Sequence, residues 1–152
     1  MFLYRISKNV HIRDLTGAGA RLYGGRWNHR GVPLIYTSES RSLATVEYLV
    51  HLSLPEAPRD LSMAALEVPD DIVLEQLDLS SLPRNWRASP APVKLADLGT
   101  EWARSRTSLL LRVPSAVIEH EHNMLINPAH DGMFRVKLVK VESYKLDERL
   151  MR

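Results

Sequence analysis

Three short apolar runs, SMAALEV (62–68), SLLLRV (108–113) and NMLIN (123–127), each stop at a proline: Pro69, Pro114 and Pro128. Proline has no N–H to give a ladder, so it closes a strand rather than continuing it. FLYRI (2–6) and PLIYT (33–37) add two more strands of the same kind. FRVKLVKVESY (134–144) alternates apolar and polar, then slips phase at Leu138–Val139, which predicts a bulge. Helical period occurs in two places. One runs from about Ser40 to Leu52, capped by Ser38 or Ser40; the other covers 94–106, with Leu95, Leu98 and Trp102 in step. Strands and helices do not alternate regularly, so the expected class is α+β with mainly antiparallel sheets and flanking helices. The glycine-bearing stretch from His11 to Gly31 reads as loop, as does LPRNWRASPAPV (82–93). The pieces either side of the second loop are each small to fold alone, so all 152 residues are expected to form one domain.

Composition excludes several chemistries. With no cysteine there is no disulfide, thiolate nucleophile or cysteine-held metal. MFLYRISKNV lacks the pattern of a signal peptide, and no apolar run approaches the roughly 20 residues that span a bilayer. The expected compartment is the cytoplasm, with no membrane contact. A formal net charge of +2, its basic residues spread along the chain, argues against direct nucleic-acid binding. GAGARLYGGRWNHRG invites a dinucleotide-loop reading, but the third glycine of G-x-G-x-x-G would fall at Leu22, and no G-K-[ST] follows. The glycines can instead let the backbone approach a ligand closely or adopt positive φ, and a plain glycine-rich turn is an equal reading. Ser115 has no G-x-S-x-G surroundings, and His120, His122, His130 and Asp131 show no metal-ligand spacing, so no metal is expected.

Glu47 is the odd residue. Its helical neighbours Leu43, Ala44, Val50 and His51 at least partly line the apolar stripe. Burying a lone carboxylate is costly, so it needs a cation or a ligand. Arg26 and Arg5 are the candidate partners. One reading is a structural Arg–Glu pair pinning a loop to a helix; the other is a site. Tyr36 sits next to the end of its strand, just before the helix cap, where ligands tend to bind.

Taken together, GGRWN, YTSES, the Ala44–Glu47 helix with LVH, LLRVPSAV and NMLINPAH closely resemble the RES domain, over nearly the whole chain from LYRI to DERL. That family is named for its Arg, Glu and Ser, and is found as bacterial toxins paired with Xre-type antitoxins. The resemblance implies a fold similar to ADP-ribosyltransferases of the diphtheria-toxin kind and NAD+ as substrate, with no further cofactor. It places the family's catalytic arginine, tyrosine and glutamate on Arg26, Tyr36 and Glu47, and its serine on Ser115. Arg5 and Asn127 resemble further substrate-binding residues, with Ser115 grouped among them. The implied activity is cleavage of the nicotinamide–ribose bond, as glycohydrolase or phosphorylase; transfer of ADP-ribose to a protein is the alternative. The implied partners are an Xre-family antitoxin and a second copy of the chain. Chemically, a fixed carboxylate on the ribose stabilises an oxocarbenium-like state more than the substrate. The arginines would hold the pyrophosphate by bidentate hydrogen bonds.

Overall fold

The structure is a computed structural model, and it describes residues 1–53 and 58–151. Among the described residues, seven strands form one sheet: β1 (Phe2–Lys8), β2 (Ile35–Ser38), β3 (Leu61–Glu67), β4 (Leu74–Gln76), β5 (Leu110–Pro114), β6 (His122–Ile126) and β7 (Lys137–Tyr144). Their order is β4-β5-β6-β2-β1-β3-β7. Every pairing is antiparallel except β4 with β5. Among the described residues, three α-helices accompany them: α1 (Ala18–Tyr23), α2 (Arg41–Leu49) and α3 (Val93–Ser105). The α+β, mainly antiparallel reading holds.

Strand parity sorts the side chains into two cores. One sheet face carries Leu3, Ile35, Leu66, Leu110, Met124 and Ile126, covered by Leu15, Met133 and Val136. The other carries Tyr36, Leu111, Val113 and Leu125, packed under Leu95, Trp102 and Ala103 of α3 and under Trp27 and Val32. In α3 the buried residues Leu95, Ala96, Gly99, Thr100, Trp102 and Ala103 recur at helical spacing. Burial of that stripe, not propensity, holds this helix. The phase slip in the last strand is a bulge: Ala65 faces Lys140 while Leu66 faces Leu138, leaving Val139 unpaired.

Three elements differ from the sequence reading. The 11–31 stretch contains α1, a helix of six residues with no buried side chain and no side-chain cap. β4 is three exposed residues whose parallel partner lies far along the chain, so nothing local marks it as a strand. Helix α2 also stops at Leu49 rather than Leu52, and Val50 is exposed. Its apolar stripe is therefore short, reduced to Leu43 and Ala44. Ser40 is the cap: its Oγ accepts from the Leu43 N–H at 3.0 Å.

Candidate active site

Glu47 lies on the same side of α2 as Leu43 and Ala44, four and three residues before it, and the sheet meets it with polar groups. Its Oε1 accepts from Ser115 Oγ at 2.7 Å and from Asn123 Nδ2 at 2.6 Å. Ser115 is 2% exposed, and its Oγ also accepts from the N–H groups of Val117 and Ile118. With both those donors turned towards the oxygen, the hydroxyl proton goes to the carboxylate. Asn123 pairs with Val113 across one edge of β6 and with Ser38 across the other. Among the described residues, Oε2 of Glu47 accepts no hydrogen bond. One carboxylate oxygen is anchored and the other is open.

Arg26 does not pair with Glu47: no ion pair joins them among the described residues. Its guanidinium donates instead to the carbonyls of Trp86 at 2.8 Å and Ala88 at 3.2 Å, in the 82–93 loop. Burial lowers its pKa, and the charges of Glu47 and Tyr36 act in the opposite sense. The three groups thus share one electrostatic neighbourhood. The loop that carries Arg26 is fixed from several sides. Asn28, 1% exposed, donates from Nδ2 to the carbonyls of Ala20 and Val32, and its Oδ1 accepts from the Tyr36 hydroxyl at 2.7 Å. The same hydroxyl accepts from the Trp27 N–H at 3.0 Å. A Cβ at Gly25 would lie 2.7 Å from that oxygen, so the close approach requires glycine there. His29 N donates to Thr100 Oγ1, tying the loop to α3. The glycine-rich stretch is therefore a clamp around an arginine.

Burial pushes the Tyr36 phenol well above its ordinary 10.0; the Trp27 N–H and the Arg26 charge oppose this without cancelling it. The sign follows from which state ionises first. Below pH 10 the ring is neutral folded or unfolded; above it the unfolded chain ionises while the native ring holds its proton, so stability falls as pH rises. Titration of phenol absorbance through that range should show a lagging fraction in the wild type that shrinks in Tyr36→Phe. The same variant leaves the Trp27 N–H and Asn28 Oδ1 without this partner and should lose about 1–3 kcal/mol at neutral pH.

A family model, the RES domain, matches residues 2–147. The chain belongs to the RES-domain family. It is 40% identical to the Toxin Res of Yersinia enterocolitica, over 99% of both chains. It is also 40% identical to a Prs ADP-ribosylating toxin of Sphingobium, over 91% of this chain and 88% of that one. Its structure matches a chain in the crystal structure of the M. tuberculosis MbcT–MbcA toxin–antitoxin complex with a TM-score of 0.72. The match covers 99% of this chain and 86% of the other at 18% identity, a likeness of fold.

In this RES domain, Arg26, Tyr36, Glu47 and Ser115 come together as described, but two residues singled out by resemblance lie elsewhere. Arg5 sits beside Tyr4 on β1, and Tyr4 faces Ser38. Alternation sets Arg5 on the sheet face opposite that of Tyr36 and Asn123. There its guanidinium donates to the carbonyls of Asp14 and His11, pinning the loop after β1, and burial lowers its pKa. Asn127 is 1% exposed; Nδ2 donates to the Ala103 carbonyl and Oδ1 accepts from Ala129 N. It ties the end of α3 to the turn after β6. The sequence reading missed Asn123, Ser38 and Asn28; Asn123 alone had a signal, standing two residues before Leu125 in the same run. Among the described residues, no group of three or more His, Asp or Glu converges as a metal site, and no helix is long and apolar enough to cross a membrane. His130 instead accepts from Gly132 N through Nδ1, capping a 3-10 turn.

Proposed function

We propose that this chain is the toxin of a toxin–antitoxin pair and that it degrades NAD+ by cleaving the nicotinamide–ribose bond. The observation that carries the proposal is the Glu47 carboxylate, anchored through Oε1 and open at Oε2, with the Arg26 cation in its neighbourhood. The open oxygen is suited to a ribose hydroxyl. As the bond to nicotinamide breaks, its electron pair leaves with the already cationic ring, which departs neutral, and positive charge develops on the ribose. A fixed carboxylate stabilises that charge without reorganising at the moment of reaction. Water or phosphate then takes the ribose carbon and gives up its proton to solvent.

Arg26 in this scheme holds the pyrophosphate, exchanging or sharing its contacts to Trp86 and Ala88, while Tyr36 keeps the arginine-bearing loop in place. No cofactor beyond the consumed NAD+ enters. Membership of the RES-domain family and relatives named as toxins support the toxin role. The structural neighbour, a chain of a toxin–antitoxin complex, supports an antitoxin partner; we extend this to one of the Xre family, acting on a toxin in the cytoplasm. Transfer of ADP-ribose to a protein is the second reading, favoured by the relative named an ADP-ribosylating toxin.

Nicotinamide release from NAD+ by purified, antitoxin-free chain tests the proposal. Release without phosphate makes it a glycohydrolase, and release dependent on phosphate makes it a phosphorylase. Silence in both, with an ADP-ribosyl adduct on a protein target by mass spectrometry, moves the assignment to the second reading. Silence in all three assays overturns both.

A further inference from the structure

We infer that Asn123 is a positioning residue for Glu47, and that Ser38 holds the far end of its amide. The inference rests on the reading of Glu47 as the group that meets the ribose. Asn123 lies second in β6, directly across from Ser38 of β2, so the two side chains share a sheet face. Ser38 Oγ donates to Asn123 Oδ1 at 2.7 Å, and Asn123 Nδ2 donates to Glu47 Oε1 at 2.6 Å. An amide has two unlike ends, and turning it over would set Oδ1 against a carboxylate oxygen at that distance. The acceptor-only carboxylate therefore selects the orientation, and the Ser38 hydroxyl, able to donate or accept, donates to the Oδ1 that faces it. Ser38 is 4% exposed, which shields the first link from competing water.

The second link determines what Glu47 presents. A carboxylate oxygen accepts two good hydrogen bonds in its own plane, and Oε1 receives them from Ser115 and Asn123. Loss of either leaves one bond about which the carboxylate swings, and Oε2 then has no fixed place. Ser115 alone cannot do this, since its hydroxyl is also the acceptor that shapes the 115–118 turn. Asn127, four residues on and on the same strand parity, is fully occupied with Ala103 and Ala129. The two asparagines of NMLIN thus divide the work: one holds the glutamate and the other holds the fold.

Steady-state nicotinamide release by the purified full chain separates positioning from substrate contact. Asn123→Ala should lower kcat about a hundredfold, the scale of a misplaced reacting group, with KM for NAD+ changed by less than about threefold. Ser38→Ala should lose less, and the double variant should be no worse than Asn123→Ala alone, because both changes cut one chain of contacts. Asn123→Asp supplies a readout that a merely structural role would not move. Ionised, the new carboxylate repels Glu47; as pH falls and the pair takes up one proton, its O–H can donate as the amide did. Arg26, whose guanidinium feels the charge of Glu47, is present in both proteins. Activity of Asn123→Asp relative to wild type should therefore rise as pH falls. Full kcat in Asn123→Ala, or a wild-type to Asn123→Asp ratio that does not change with pH, overturns the inference while leaving the proposed function standing. Should the wild type release no nicotinamide, the proposed function fails. The crystal structure of Asn123→Ala then decides: a turned or multiply placed Glu47 carboxylate upholds the positioning role, and an unmoved one ends it.

Discussion

Glu47→Gln should remove nicotinamide release, by at least about a hundredfold in kcat, while the protein stays folded. The two halves of this expectation come from different atoms of one side chain. Oε1 of the glutamine still accepts from Ser115 and Asn123, so the contacts that join α2 to the ends of β5 and β6 survive. An amide of the same shape at a half-buried position costs about 1 kcal/mol or less when its hydrogen bonds are kept. The NH2 end takes the place of Oε2, and there the charge is lost. If the carboxylate serves the transition state, losing it affects kcat and kcat/KM alike and leaves the melting temperature within a few degrees. A structural role gives the reverse pattern: a large fall in melting temperature with residual activity in the folded fraction. Thermal melting and single-substrate kinetics on the same preparation distinguish the two.

The sequence showed the strands more clearly than it showed which side chains meet. Apolar runs, proline stops and a phase slip sufficed to place every strand but β4, and the Val139 bulge with them, because these signals act locally along the chain. Strand β4 depends on a partner far along the chain, helix α1 buries no side chain, and neither carries an amphipathic signal of its own. The same division runs through the site. Glu47 was legible as an ionisable group beside Leu43 and Ala44, but its partner was not. A cation was the obvious expectation for an anion, and the structure supplies two neutral donors, which anchor the charge without neutralising it. Asn123 and Asn127 share a strand parity, so alternation could not tell them apart; the chain turns at Asn127, and that turn separates them. For Arg5 the limit was different. FLYRI has apolar residues on both faces, and only the pairing of Tyr4 with Ser38 reveals which way the arginine points.

Gly99→Ala should destabilise the protein, although helix propensity alone says the opposite. Gly99 lies inside α3, where replacing glycine by alanine ordinarily gains about 1 kcal/mol. Here the new Cβ would sit 1.8 Å from the Trp27 carbonyl oxygen and 2.8 Å from its carbon. Something must shift, and the groups in the way are backbone. Trp27 cannot withdraw freely: its N–H is bonded to Tyr36, its side chain is packed with Leu95 and Trp102, and His29 N is tied to Thr100 one residue along α3. Overpacking costs about 1–3 kcal/mol, and each hydrogen bond pulled apart about 1 kcal/mol more, so the clash outweighs the propensity gain. A net loss near 3 kcal/mol corresponds to roughly 6–12 °C in melting temperature for a domain of this size. The change also acts on function below the melting point. Arg26 is the residue before Trp27, so moving the loop off α3 moves the guanidinium, and nicotinamide release should fall further than the unfolded fraction explains. Gly19→Ala is the matched control, a glycine in α1 with nothing within 4 Å of the added carbon. If Gly99→Ala melts at or above the wild-type temperature, the loop does not rest on α3 as described, and the clamp around Arg26 loses its footing.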